Sequence, residues 1–393
     1  MPRLLRAVLL GCALLAAPAH AADAIAFWDQ PRAGGNSFNA APPDRAYFQA
    51  LKGLGATWVR LSFSKWKGEG RDFLIGDADR YDGLAAADLA VLRTTLDAAQ
   101  AAGLQVAVTP LSLPGARWRQ QNGGRFDDRL WSDPAFADQA AAFWRDLAAA
   151  LKDHPAVAAY NLLNEPAPEL KGGLPENAPL PAIRDWQASV AGAPRDLPAF
   201  YDRVIAAIRA VDPVTPVMVD AGWYASPRSL AAWPRRLADD RALYAVHMYE
   251  PYDATSAPNL KRETPLRYPG ATTDYAGAPL AWDKAAVAAH LGLAFDWARA
   301  QGVSPSHLVV AEFGCMRRWP DCGAYLGDVL DAAEAGGASW AFYAFREDGW
   351  EGMDYELPPD LPPGRFYWLT EQGKAASLPR TGPLMGIIAA RMP

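Results

Sequence analysis

Short apolar runs alternate along the chain with longer Ala- and Leu-rich segments whose apolar positions recur every three or four residues. Apolar runs of four to eight residues bounded by Gly, Pro or Asp read as buried strands, and 3.6-period segments as amphipathic helices. Strands are expected at Ala33–Ser37, Thr57–Ser62, Gln105–Leu111, Ala156–Leu163, Pro216–Ala221, Leu243–Met248, His307–Glu312 and Ala338–Ala344. Helices are expected at Leu84–Ala101, Pro134–Leu151, Pro198–Val211 and Trp282–Gln301, with a short closing helix within Leu378–Arg391. Eight apolar strands, each followed by a helix, predict an α/β fold, a closed parallel (β/α)8 TIM barrel. An open doubly wound sheet is the competing arrangement.

The connections are unequal. Those from helix to strand are short, as in Leu54-Gly55-Ala56, Gly103-Leu104 and Gly336-Gly337, whereas several from strand to helix are long: Ser64–Gly83, Pro166–Leu197, Glu250–Asp283 and Phe345–Thr370. Long loops therefore gather at the C-terminal ends of the strands, the face on which such barrels carry their sites. The pattern breaks in two informative places, Tyr160-Asn161-Leu162-Leu163-Asn164-Glu165-Pro166 and Val309-Val310-Ala311-Glu312-Phe313-Gly314, where an apolar run ends on a glutamate. A buried ionised group without a partner is costly, so these carboxylates belong at the mouth of the core. Two strand-end glutamates far apart in sequence are what a double-carboxylate glycosidase requires.

The chain's ends and charge narrow the setting. Arg3 and Arg6, an apolar stretch from Ala7 to Ala17 and then Ala19-His20-Ala21 read as a secretory signal peptide over residues 1–21, leaving 22–393 as one catalytic domain. Its loss takes two arginines and no acid, so the formal charge of −6 becomes −8. An acidic chain argues against nucleic acid and anionic membranes as partners and permits a neutral polysaccharide. Export, to the periplasm or beyond, puts Cys315 and Cys322 in an oxidising compartment, where a disulfide is expected. A metal pair is not supported, because His154, His247, His290 and His307 form no recognisable ligand spacing.

Asn164-Glu165-Pro166 on strand four, His247-Met248-Tyr249 on strand six and Glu312-Phe313-Gly314 on strand seven together resemble glycoside hydrolase family 5, of the clan of retaining (β/α)8 glycosidases. Arg60 in Trp58-Val59-Arg60-Leu61 matches the family's strand-two arginine. Gly34-Gly35-Asn36 resembles its first-strand motif, and Trp340 falls in its aromatic strand-eight segment. The similarity runs from about Trp28 to Tyr343. It implies that Glu165 is the acid/base and Glu312 the nucleophile of a glycosyl-enzyme mechanism. It also implies that Asn164 bonds the sugar 2-hydroxyl and that Asn36, Arg60, His247, Tyr249 and Trp340 bind substrate or orient the carboxylates. Arg60 would hold Glu312 ionised, and Trp340 would offer a flat face to a pyranose ring. Trp223 and Trp350, in long loops, are further subsite candidates, ahead of Trp144 and Trp297 inside helical patterns.

One departure stands out. Family members place a histidine near the end of strand three, where this chain has Ser112, and Tyr343 stands where a further strand-eight Trp is expected. His247-Met248-Tyr249-Glu250-Pro251-Tyr252 resembles the endo-β-1,4-glucanase branch of the family more than the mannanase branch. Alternatives are a transglycosylase, a mannan-type endo-glycosidase on the same scaffold, or a catalytically silent sugar-binding barrel. The expected partner is a β-linked oligo- or polysaccharide, with no cofactor, no metal, no nucleic acid, no membrane after signal cleavage, and a monomeric chain.

Overall fold

A computed structural model describes residues 24–273, 279–347, 351–361 and 382–393. The expected signal peptide and Trp350 lie outside these residues. Eight parallel strands close into a barrel: β1 (Ala33–Ser37), β2 (Trp58–Ser62), β3 (Gln105–Thr109), β4 (Val157–Asn161), β5 (Val217–Asp220), β6 (Ala242–Met248), β9 (Leu308–Phe313) and β10 (Ser339–Phe342). They pair in sequence order, and β10 returns to β1 through Ala33–Trp340 and Gly35–Phe342 to complete the ring. A two-stranded antiparallel ribbon, β7 (Gly270–Thr273) and β8 (Pro279–Trp282), lies in the long connection after β6 and outside the barrel.

Helices cover the outside, and their ends follow local chemistry. Asp133 caps the helix Pro134–Leu151 by accepting from the Ala135 N–H, with Pro134 at its first position, and Asp196 and Asp283 cap Leu197–Arg209 and Lys284–Ala300 in the same way. Gly103 and Gly302, at φ +74° and +67°, take the left-handed turn that ends a helix and feeds the next strand, which keeps those connections short.

The strand residues sort by face. Val59, Leu61, Val106, Val108, Val246, Val310 and Phe342 join the core between sheet and helices. Trp58, Ala107, Ala159, Met218, Leu243, Ala245, Val309, Ala311 and Ala341 point inward, and Trp28 joins them. The Trp28 indole donates to the Ala158 carbonyl at 3.0 Å. Trp58 needs the space at Gly34, where a Cβ would come within 2.6–2.8 Å of it. Above these small and apolar residues the interior turns polar, with Asn36, Arg60, Asn161, Asp220, His247 and Glu312 all buried. A polar layer is tolerable inside a barrel only when its members satisfy one another.

Two strands break register. Val246 pairs with Val310, but His247 pairs with Glu312, so β9 carries one extra residue there. Val309 and Ala311 face inward and Val310 outward; strict alternation would turn Glu312 outward. The bulge turns it inward instead, beside His247. A second slip, between Val106–Val157 and Ala107–Ala159, gives β4 an extra residue before Asn161.

Candidate active site

The site is assembled around Arg60, which is fully buried at the end of β2. Its Nε donates to Asn161 Oδ1 at 2.7 Å, Nη1 to Glu312 Oε1 at 2.5 Å, and Nη2 to Asn164 Oδ1 at 2.9 Å and Asp220 Oδ2 at 3.0 Å. A planar fork fixed at this many points is a rigid platform, which a lysine could not supply. Asp220, also fully buried, accepts in addition from Asn161 at 2.8 Å and from the Glu165 backbone N–H at 3.1 Å.

Glu165 stands four residues beyond the last residue of β4, so it is not a strand-end residue as the sequence suggests. It lies at φ +49°, an unusual setting for a non-glycine residue preceding a proline. The bond to Asp220 holds it there. Its Oε1 lies 2.9 Å from His247 Nδ1. Glu312 receives Arg60 on Oε1 and the Tyr249 hydroxyl on Oε2 at 2.7 Å, and His247 Nδ1 is 3.7 Å from the same Oε2. One oxygen of each glutamate and a ring nitrogen of His247 all lie within 4.8 Å of one another. This is the one group with metal-ligand spacing among the described residues. A dication there would face the Arg60 guanidinium already on Glu312, so the donor set suits proton and carboxylate chemistry better.

The electrostatics separate the two glutamates. Burial and the negative charge of Asp220 push the pKa of Glu165 up to about 8, against the pull of Arg60. About a third of its side chain is open to the cleft, so water moderates the burial effect while Asp220's charge remains. Burial raises Glu312 too, but His247, Arg60 and the Tyr249 hydroxyl all favour its ionised form. Burial lowers the pKa of His247, against the pull of Glu312 and Asp220.

Glu165, Glu312, Arg60, Asn164, His247 and Tyr249 thus converge, but three expectations need correction. Arg60 and Asn36 have no exposed surface and cannot touch a substrate. The Asn36 amide donates to the carbonyls of Ala311, Ala341 and Phe342 at 2.8–3.2 Å, and its Oδ1 accepts from Arg60 at 3.3 Å. It therefore supports the β9 bulge. Trp340 is 3% exposed and packs on the outer face of β10 against Phe313, with ring centroids 5.9 Å apart. Ala341 faces the barrel interior, and the next residue on that side is Tyr343. Tyr343 lies 6.5 Å, ring to ring, from Tyr249 and feels the charge of both glutamates. The strand-eight aromatic beside the carboxylates is therefore Tyr343, not Trp340. Ser112 is buried, and its hydroxyl accepts from the Trp118 backbone N–H at 2.9 Å, shaping the loop after β3. Cys315 and Cys322 are disulfide-bonded, with Cα atoms 5.6 Å apart.

Two members of the site, Asp220 and Asn161, are not among the residues that the sequence singles out. Asp220 closes the apolar run Val217-Met218-Val219, the same signal that marks the glutamates, and Asn161 lies uncharged within the run that leads to Glu165. A cavity of about 810 Å³ lies between outer helices and is lined by residues such as Arg184, Trp233 and Trp297, and not by Glu165 or Glu312.

The family model for cellulase (glycosyl hydrolase family 5) matches residues 27–349. A curated β-xylosidase of Phanerodontia chrysosporium is 28% identical over 130 residues, 33% of this chain, and the chain spans only 22% of that relative's length. Among solved structures, an endoglucanase superposes with a TM-score of 0.63 at 18% identity, covering 93% of this chain and 99% of that one. The Pseudomonas stutzeri endoglucanase Cel5A gives 0.60 at 17% identity, covering 92% and 94%. At these identities the structural likeness establishes the shared barrel fold. The chain belongs to glycosyl hydrolase family 5, the cellulase family.

Proposed function

We propose that the enzyme is a retaining endo-β-1,4-glucanase in which Glu165 is the acid/base and Glu312 the nucleophile. The observation that carries this reading is the close approach of the two carboxylates, with an oxygen of each within 4.8 Å. Retaining glycosidases hold their carboxyl groups about 5–5.5 Å apart, whereas inverting ones leave about 6.5–9.5 Å for a water. The different environments of the two groups divide the labour. A protonated Glu165 gives its proton to the departing glycosidic oxygen while its hydrogen bond with His247 Nδ1 holds it in place. Glu312, held by Arg60 and Tyr249, attacks the anomeric carbon. Glu165, now ionised, takes a proton from water, which then releases the sugar. Asn164, fixed by Arg60, is placed for the 2-hydroxyl. The endoglucanases of like fold support a β-glucan as substrate. A mannan-type substrate and transfer to a sugar acceptor remain compatible with the same carboxylates.

We further propose that residues 1–21 direct export and are removed, leaving one catalytic domain from Ala22. Intact mass of the exported chain tests this, and a chain retaining Met1 would contradict it. Among the described residues no helix is long and apolar enough to cross a membrane.

The roles are tested by an asymmetry. Glu312→Ala should lose activity on every substrate, whatever the leaving group. Glu165→Ala should lose about 10²–10⁴-fold on a natural glucan. It should still form the glycosyl-enzyme from an activated aryl glycoside, and azide should rescue its turnover as a β-glycosyl azide. Rescue of Glu312→Ala to an α-azide, with Glu165→Ala inert to azide, would reverse the two roles.

A further inference from the structure

The loop that carries Glu165 is tied to the segment after β5 by a ladder of hydrogen bonds. Asp220, the last residue of β5, accepts from the Glu165 backbone N–H at 3.1 Å. Tyr224 donates its backbone N–H to the carbonyl of Pro166 at 3.2 Å. Glu169, four residues beyond Glu165, reaches across to accept from the Trp223 backbone N–H at 3.0 Å. The first two bonds flank Glu165 on either side. The place of its carboxyl group therefore depends on the shape of residues 220–224.

That shape is an unfavourable one. Trp223, Tyr224 and Ala225 adopt φ +46°, +59° and +63°, three successive left-handed residues without a glycine, and Glu165 itself stands at +49°. Such conformations persist only where the surroundings impose them. Glu169 imposes this one. Its side chain is held between two elements, with Oε2 on the Trp223 N–H and Oε1 receiving the hydroxyl of Ser229, a fully buried residue of the helix Pro227–Ala232, at 3.2 Å. Gly222 leaves the room it needs, since a Cβ there would lie 2.0 Å from Oε1. The backbone around Glu169 is anchored in turn. Its carbonyl accepts from the Gly172 N–H at 2.7 Å, and the carbonyl of Pro168 accepts at 2.6 Å from Arg195, which also bonds Asp128.

Glu169 is only 1% exposed, so it reaches no substrate. Burial pushes its pKa up to about 7, while the Trp223 N–H and the Ser229 hydroxyl pull the other way. A carboxyl group buried like this is a cost to the fold. What it supplies is the acceptor around which the turn is built.

We propose that Glu169 is a positioning residue for Glu165: it holds the Trp223–Ala225 turn, the turn holds Pro166, and the acid/base is thereby kept in reach of the glycosidic oxygen. The proposal rests on the acid/base reading of Glu165 above.

The experiment uses a leaving group that needs no proton. kcat/KM, which reports the steps up to the glycosyl-enzyme, is measured on phenyl β-cellobioside, whose phenolate leaves poorly without protonation, and on 2,4-dinitrophenyl β-cellobioside, whose phenolate leaves unaided. Glu165→Ala is the reference and should lose far more on the first than on the second. Glu169→Ala should show the same selectivity to a smaller degree, falling about 10–10²-fold on the phenyl substrate and within about twofold on the other. Glu169→Gln keeps an oxygen for the Trp223 N–H and should return the ratio of the two values to that of the unaltered enzyme. This ratio does not depend on the fraction of enzyme that is folded. Should Glu169→Ala yield no folded protein, the same ratio is read in Ser229→Ala, which removes one donor from the carboxyl group and should shift it in the same direction. Equal effects on the two substrates, or a Glu169→Gln no better than Glu169→Ala, would overturn the positioning role, because a general fault in the fold spares neither substrate. Equal losses in Glu165→Ala itself would instead overturn the acid/base reading, and the role of Glu169 with it.

Discussion

Burial, and after it the negative charge of Asp220, raises the pKa of Glu165. That charge helps hold the Glu165 proton, and one of the Asp220 oxygens fixes the Glu165 backbone. The proposed mechanism needs Glu165 protonated, so kcat/KM should fall as pH rises through about 8. Asp220→Asn keeps an oxygen acceptor but removes the like charge, so Glu165 should release its proton more easily and the alkaline limb should move to lower pH. A pH–rate profile checks this, and an unmoved or upward-moved limb would contradict it. At this scale the two glutamates are legible in the sequence because an unpartnered charge ending an apolar run cannot be there for packing. Asp220 carries the same signal but reads as the polar end of strand five. Trp340 misleads because a large aromatic near a strand end resembles a platform, and only the alternation fixed by Ala341 shows that it faces the helices.

Strand β9 illustrates how an element aims a side chain. Its extra residue turns Glu312 inward, and the carbonyl of Ala311, the residue before Glu312, is bonded by Asn36 across the barrel. Asn36→Ala should therefore leave three buried carbonyls without this donor and cost about 1–3 kcal/mol of stability. It should also lower kcat more than it raises KM, because Asn36 touches no substrate. Thermal melts together with kinetics check both, and a change confined to KM would place Asn36 at the substrate after all. The disulfide Cys315–Cys322 braces the loop that follows, closing the chain just beyond Glu312. All eight barrel strands are readable from apolar runs to within a few residues. The bulges in β4 and β9 are not, since one added apolar residue changes a strand's register without changing its composition. The left-handed turn at Trp223–Ala225 also leaves no mark in the sequence, because its cause is Glu169, more than fifty residues earlier.

Over the whole molecule, an apolar barrel floor carries a buried polar layer, and the long loops at one face shape the cleft above it. Function here opposes stability. The ordinary pKa of Glu165, 4.5, rises to about 8 on folding, so between those values the folded protein holds a proton that the unfolded chain has released. Stability from this group is full below pH 4.5 and is lost as pH climbs toward 8. Glu165→Gln removes that dependence. Its melting temperature relative to the unaltered enzyme should therefore rise across this window and level off above it, and a constant difference from about pH 4 to about pH 9 would contradict the burial of this charge. The closed barrel and its working face are legible from the alternation of elements and the unequal loops.

The central claim is that Glu312 becomes glycosylated while Glu165 manages the proton. Proteolytic mapping of the enzyme after inactivation by a dinitrophenyl 2-deoxy-2-fluoro-β-cellobioside tests it most directly. The account predicts a single glycosyl mass increment on the peptide bearing Glu312, absent from Glu312→Gln. An increment on the peptide bearing Glu165, or on neither, would contradict it.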